Sequence, residues 1–423
     1  MSALTRPPGD ATSSAESPTR APQLVNRARY GRGFWMIALA FLTAMAFSTV
    51  PAPLYPLYQA RSGFSTFMIT VVFAAYAVGV VSSLVLAGHV SDWVGRKKIL
   101  VPALCLELVS AAIFLTAPSL PLLIVARLVS GLGVGMLTAT ATAHLHELHT
   151  RHRPEASGQR FEAVSTAANI GGIGTGALVS GVLAQYVTGP LRTPYLIFAV
   201  LLLVSIVGVM LTPETVEEKP VRPSYRPQRI SADHGDRAGY IAAAAAGFAS
   251  FAVFGLFTSV APGFVRGALH HASPALAGLV VFAVFGSAAV AQTLTSRMRA
   301  GVKLGIGLVG QALGLIVLVV GMHAANLATF LVGGVIIGVG AGMLFKAAVG
   351  AVAAMAAPAK RGEALAGLFL VSYVGLSLPA VSVGIVTRYV TATTAMTWLT
   401  VVLLAILVVV ATLSRRRSPT SAE

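Results

Sequence analysis

Along the chain, long apolar runs alternate with short polar interruptions. Twelve runs approach or exceed the roughly 20 residues that an α-helix needs to cross hydrocarbon. They lie at about 33–56, 67–90, 99–117, 119–146, 161–186, 194–212, 239–263, 274–296, 301–322, 326–356, 364–388 and 391–413. The narrowest separations fall between the third and fourth runs and between the last two. Any one run also fits a buried helix of a soluble protein, but a soluble core does not need twelve. The runs lack the two-residue alternation of a membrane barrel. The pattern therefore predicts an all-α membrane protein with twelve spans.

Composition agrees. The chain is 56% hydrophobic and 10% charged over 423 residues, against about 25% charged in a soluble domain. Its net charge of +16 raises the question of nucleic acid, but the basic residues stand in short clusters between apolar runs, as topogenic signals do. No nucleic-acid partner is expected. The single cysteine, Cys105, lies in an apolar run and rules out a disulfide framework or a CxxC motif. Residues 1–32 are polar and rich in Pro, Ser and Arg. They read as a disordered tail and not as a signal peptide.

With twelve spans, both termini share one side. That side would carry 24 of the 30 Lys and Arg residues and the opposite side 4, with Arg127 and Lys346 inside spans. The positive-inside rule then places both termini in the cytoplasm of a cell membrane. The longest polar stretch between spans, 216–238, divides the chain into six-span halves at 33–215 and 239–413, followed by a short tail at 414–423. The halves look alike. Gly131 to Leu137 in span 4 matches Gly338 to Leu344 in span 10, at an offset of 207. Ser82 to Lys98 lays without gaps on Ser287 to Lys303, at 205. Paired repeats of this kind rock about a site near the bilayer midplane.

Loop 2–3 reads Gly88-His89-Val90-Ser91-Asp92-Trp93-Val94-Gly95-Arg96-Lys97-Lys98. It resembles the major facilitator signature Gly-x-x-x-Asp-x-x-Gly-Arg-Lys/Arg. Gly88 would allow close helix approach and Gly95 a tight turn. Asp92 can dock on the positive end of another helix, and Arg96 can pair with a carboxylate. Arg127-Leu128-Val129-Ser130-Gly131-Leu132-Gly133 resembles the Arg-x-x-x-Gly-x-Gly pattern of the same family. The resemblance implies two pseudo-symmetric six-helix bundles around a central cavity. It implies that loop 2–3 locks the bundles while the cavity faces outward, with partners at the start of span 11 near Gly362 and at Glu147 or Glu162. It also places Arg127 beside the cavity, linked to proton or substrate binding. Gly131, Gly133, Gly338 and Gly340 are expected to serve helix packing, as are Gly176 and Gly181 of span 5. The latter stretch departs from the Gly-Pro-x-x-Gly-Gly element of proton-coupled drug exporters, since Ala177 and Ser180 replace the proline and a glycine. Pro213-Glu214-Thr215 closes span 6 in a familiar but unspecific way.

Buried charge costs free energy in hydrocarbon, so intramembrane ionisable groups are functional candidates. Arg127 lies about 12 Å into its span, at about 1.5 Å per residue. Glu107 is the one acid deep in a span. It is a candidate proton carrier, although the family places span 3 outside the cavity. Lys346 either snorkels or reaches the cavity. His144, His146, His149 and His152 enter what reads as a solvated loop, and no metal site is expected. By resemblance spans 1, 4, 7 and 10 line the cavity. They bring Thr43, Ser48, Thr49 and Tyr55 from span 1, with Pro51, Pro53 and Pro56 bending it, and Phe251, Phe254 and Thr258 from span 7. An aromatic, weakly polar wall suits amphipathic compounds better than sugars.

The expected function is a monomeric secondary transporter of a hydrophobic or amphipathic small molecule, working as a proton-coupled efflux antiporter. The alternative is a proton-symporting importer of a metabolite. No phosphate-binding loop, metal set or nucleophile–base pair supports a membrane enzyme. Its partners would be substrate, protons and lipid, with a proton gradient in place of any cofactor.

Overall fold

The computed structural model describes residues 20–87, 90–116, 119–216, 227–228 and 236–415. Twelve apolar helical spans run Arg27–Ser62, Thr66–Ala87, Lys97–Thr116, Leu120–His152, Gln159–Tyr186, Thr193–Leu211, Arg237–Ser259, Pro274–Leu294, Ala300–His323, Leu327–Met355, Arg361–Val386 and Ala392–Arg415. They are spans 1 to 12 below. The side on which span 1 begins and span 12 ends is the terminal side, and the opposite one the far side. Spans 1 and 7 are the most enclosed, with 78% and 72% of their apolar windows buried. Spans 6, 9 and 12 expose most surface, with 33%, 33% and 28% buried. Short polar caps start several helices: Asp236 accepts from Gly239 N–H at 2.8 Å and Asn326 from Thr329 N–H at 2.9 Å.

Two expected boundaries move. The first helix begins at Arg20, so residues 20–32 belong to it and not to a tail; residues 1–19 lie outside the described residues. Span 4 continues to His152, so the histidine run is helical and not a loop. His144 Nε2 meets the Pro213 carbonyl at 3.2 Å and His152 Nδ1 the Arg27 carbonyl at 2.8 Å. His146 stands edge-on to Phe161 at 5.0 Å. These rings serve different neighbours and do not converge.

Span 1 is broken. Its long helix stops at Phe47, a tight turn covers Ala52–Leu54, and a short helix resumes over Tyr55–Ser62. Pro51, Pro53 and Pro56 cause this, since each lacks an N–H and crowds the preceding turn. Ala52 N–H now bonds Thr49 O at 3.0 Å and Leu54 N–H bonds Pro51 O at 3.0 Å, one residue tighter than in an α-helix. The carbonyls of Ser48 and Val50 are left over. In hydrocarbon they need partners. Arg127 Nη1 takes Ser48 O at 2.6 Å, and Ser180 Oγ takes Val50 O at 2.8 Å. Span 5 is also irregular, with a wide π-type turn at Ala167–Gly171.

Glycines set the closest approaches. Within the first half, Gly135 of span 4 sits on Val80 and Ser83 of span 2; within the second, Gly338 of span 10 sits on Val284 and Ser287 of span 8. Contact therefore equates residues 203 or 204 apart, one helical turn from the 207 of the sequence match. Gly133 faces Glu107 and Ala103 of span 3, Gly340 faces Gln311 of span 9, Gly131 faces Tyr76 of span 2, and Gly176 meets the Ala46 backbone of span 1. Gly181 packs across the halves, against Pro274.

The halves meet tightly on the far side. Gly278 lies on Ala177, Gly384 on Phe67 and Thr70, and Ser273 Oγ donates to Gln185 Oε1. Arg388 stacks over Phe67 at 4.9 Å. On the terminal side the links are longer and polar: Arg297 Nη2 donates to Gln159 Oε1 at 2.7 Å, and Lys346 faces Glu162 at 3.9 Å. The protein is thus closed on the far side and open on the terminal side.

Gly176→Val should lower stability by about 1–3 kcal/mol through overpacking, whereas Gly305→Val, which has nothing within 4 Å of its added Cβ, should change it little. Thermal unfolding of the two purified variants checks the contrast.

Candidate functional site

Two connected chambers run from mid-membrane towards the terminal side. The central one encloses about 130 Å³ and the vestibule about 600 Å³. Thr138, Asn169, Ile170, Phe345, Phe369 and Tyr373 border both. Ser48, Thr49, Tyr55, Arg127, Phe251, Phe254 and Thr258 line the central chamber. Thr43 is buried in packing and does not reach it. Spans 1, 4, 7 and 10 supply the larger share of the wall, but spans 2, 5, 8 and 11 also contribute, through Tyr76, Asn169, Phe285 and Tyr373. The π-type turn of span 5 is what brings Asn169 and Ile170 to the wall.

Arg127 is 3% exposed. Its guanidinium lies over the Tyr76 ring at 4.3 Å while Nη1 holds the Ser48 carbonyl. Nε has no partner, and neither has the buried Tyr55 hydroxyl. Glu107 is fully buried between spans 3 and 4 and stands behind the chamber wall, not on it. Ser130 Oγ, one turn from Arg127, donates to Glu107 Oε2 at 3.0 Å; Oε1 is unpartnered. Lys346 borders the vestibule, where Nζ donates to Gln292 O at 2.8 Å. It does not snorkel away.

The terminal-side cluster forms around Arg96. Nη2 meets Glu147 Oε1 at 2.7 Å and Nη1 meets Asp92 Oδ1 at 2.5 Å. Burial opposes the Arg96 charge, but these two acids outweigh it and hold its pKa above the ordinary arginine value. Glu162 is not a partner; it stands opposite Lys346 on the other half. Asp92 stays 64% exposed and does not dock on span 11. Gln228 occupies that place instead, its N–H bonded to Val85 O at 2.8 Å and its side chain set against Gly362. An open terminal side accounts for this, since the lock is expected when that side is shut. Gly88 lies outside the described residues. Gly95 turns with φ +116°, a region that favours glycine.

Glu214, unremarkable in the sequence, ties span 6 to span 3. Its carboxylate accepts from the N–H groups of Arg96 at 3.1 Å and Lys97 at 3.0 Å, at the start of span 3, and from those of Thr215 and Val216. Lys97 Nζ in turn donates to Met210 O at 2.6 Å. The end of span 6 thereby caps span 3. The Pro213-Glu214-Thr215 run was the available signal.

This geometry can be set beside known proteins. The sequence pattern of the Major Facilitator Superfamily matches residues 36–267, more than half of the chain. The chain belongs to the Major Facilitator Superfamily. Solved members of similar fold include the human organic anion transporter MFSD10 (TETRAN), with a TM-score of 0.65 over 90% of this chain and 99% of that one at 15% identity. A POT family transporter, solved with a thioalcohol-conjugated peptide and with 5-aminolevulinic acid, gives 0.71 over 92% and 96% at 12% identity. At such identities the likeness is one of fold. The arabinose-proton symporter of Bacillus subtilis (strain 168) is 34% identical over 83 residues, 20% of this chain and 18% of that protein. The match thus spans less than a fifth of that relative's length. As a superfamily member the chain is a multi-pass membrane transporter.

In this major facilitator protein the Glu214 cap has a pH signature. Burial tends to raise its pKa, but the four backbone N–H bonds outweigh burial and hold it below the ordinary 4.5. The cap is therefore fully present above 4.5 and is lost as pH falls through the lower folded value. Glu214→Gln should cost about 1 kcal/mol near neutral pH and flatten the fall in melting temperature below pH 4.5. A variant that melts like the wild type at both ends of the range would contradict the cap.

Proposed function

We propose that the chain is a monomeric, proton-linked secondary transporter that carries an amphipathic small molecule across the cytoplasmic membrane by alternating access. The observation that carries this is a mid-membrane chamber walled by aromatic rings, closed on one side and open to the other, with one buried arginine in its wall. The excess of Lys and Arg on the terminal side makes that side cytoplasmic, so the conformation described is inward-open.

Glu107 is the proton site in this reading. Among the described residues, the charged or titratable groups acting on it are Arg127 of span 4 and Tyr76 of span 2. A proton on Glu107 leaves the Arg127 charge uncompensated from behind; its loss supplies a counter-charge. Exchange is simplest where substrate and proton compete for one group. Neither chamber has a carboxylate among its described lining residues, and Glu107 is walled off. Because a proton on Glu107 frees the Arg127 charge for substrate, proton and substrate binding reinforce each other, and we place co-transport ahead of the efflux exchange expected from the sequence. The mostly apolar wall favours exchange of hydrophobic compounds as the second reading.

Reconstituted vesicles with internal pH reporting separate these readings. Proton flux alongside substrate supports co-transport, and opposed flux supports exchange. No substrate-linked flux across a compound panel would overturn transport itself. Glu107→Gln should retain substrate counterflow and lose proton movement. Asp92→Asn should slow turnover about tenfold, or about 1.4 kcal/mol on the barrier, without loss of membrane insertion; wild-type rates would remove loop 2–3 from the gate.

A further inference from the structure

We infer that the central chamber contains a binding site for the carboxylate of a monoanionic organic acid, formed by the Arg127 Nε–H and the Tyr55 hydroxyl. This names the substrate class of the transport reading above, and its test reads binding apart from transport.

Two residues lining the chamber each hold a buried polar atom without a partner, Arg127 Nε and the Tyr55 hydroxyl, and both can donate. Arg127 is 3% and Tyr55 2% exposed, so bulk water does not reach either freely. Elsewhere on the guanidinium, Nη1 donates to Ser48 O and the face lies over the Tyr76 ring. Among the described residues no carboxylate forms an ion pair with Arg127. Tyr55 and Arg127 line the same chamber. A buried donor left unpaired is costly, so a fold that keeps two beside one cavity leaves them for a ligand.

The charges then select that ligand. A cation would face Arg127 with no acid on the described wall to answer it. A neutral apolar compound would leave both donors unpaired. A carboxylate accepts from both and gains a charge-assisted bond. A dianion would need a second cation, and Lys346 belongs to the vestibule and not to this chamber. Beyond the donors the wall is aromatic: Phe251 stands 4.8 Å from Phe345, 5.4 Å from Tyr373 and 6.1 Å from Phe254. These rings would enclose an apolar or aromatic body.

Phenylacetate, phenylacetamide and phenethylamine share size and shape and differ in charge. Calorimetric titration of the purified full-length protein near neutral pH should show phenylacetate binding at least about tenfold more tightly than the amide, as a charge-assisted bond allows, with no binding of the amine. Arg127→Gln should abolish that preference. Tyr55→Phe, which removes a single hydroxyl, should weaken phenylacetate several-fold and weaken the amide less, and it carries the test if Arg127→Gln misfolds. Equal binding of acid and amide, binding of the amine, binding of none, or an acid preference that survives both variants would each overturn the site. An acid preference lost in the variants, without flux in vesicles, would leave the site standing and remove the transport reading. Flux of substrates without acid preference would do the reverse.

Discussion

One bond holds the centre of this molecule: the Arg127 guanidinium on the Ser48 carbonyl. A cation at that depth in hydrocarbon must be answered, and an intact span 1 would have no carbonyl to offer. The prolines at 51, 53 and 56 break the helix and release one. The same break frees the Val50 carbonyl for Ser180 of span 5. Spans 1, 4 and 5 are thereby tied together at one level, with the Tyr76 ring of span 2 packed on the arginine face. The cavity forms where these constraints meet.

The two sides of the membrane are closed by different means. On the far side, glycines bring backbone against backbone between spans 2 and 11 and between spans 5 and 8. Such contacts are dry and short, and they form or fail as a unit. On the terminal side, long side chains reach across a gap, as between Arg297 and Gln159. Exposed polar links of this sort contribute little free energy each and part readily. A carrier that alternates needs two closures of similar total strength; a few firm contacts on one side can balance many weak ones on the other.

The apolar runs made the fold legible, because twelve stretches of membrane length leave few alternatives. Loop 2–3 and Arg127 were legible as motifs. What was hidden depended on geometry that local sequence does not carry. The helix from Arg20 was masked by its basic composition, which resembles a tail although arginine is a good helix former. The chamber wall from spans 2, 5, 8 and 11 depends on how the spans pack and on the π-type turn at Ala167–Gly171, which has no sequence signature. Glu214 sits among polar residues at a span end, and only the fold brings it to the first amides of span 3. The repeat register slipped one turn because several glycines at four-residue spacing can align in more than one way; only the contacts with Ser83 and Ser287 fix it. Glu107 has Gln311 204 residues later, also buried, so the acid distinguishes the first half from the second.

Alternating access requires the two closures to alternate around the Arg127 chamber. Paired spin labels test this most directly, one pair at Gln185 and Ser273 on the far side and another at Gln159 and Arg297 on the terminal side. Both distances would be followed over a pH series in lipid nanodiscs. The expected result is reciprocal: molecules whose far-side distance lengthens show a shortened terminal-side distance. Distances that stay fixed throughout, or that lengthen together, would contradict it.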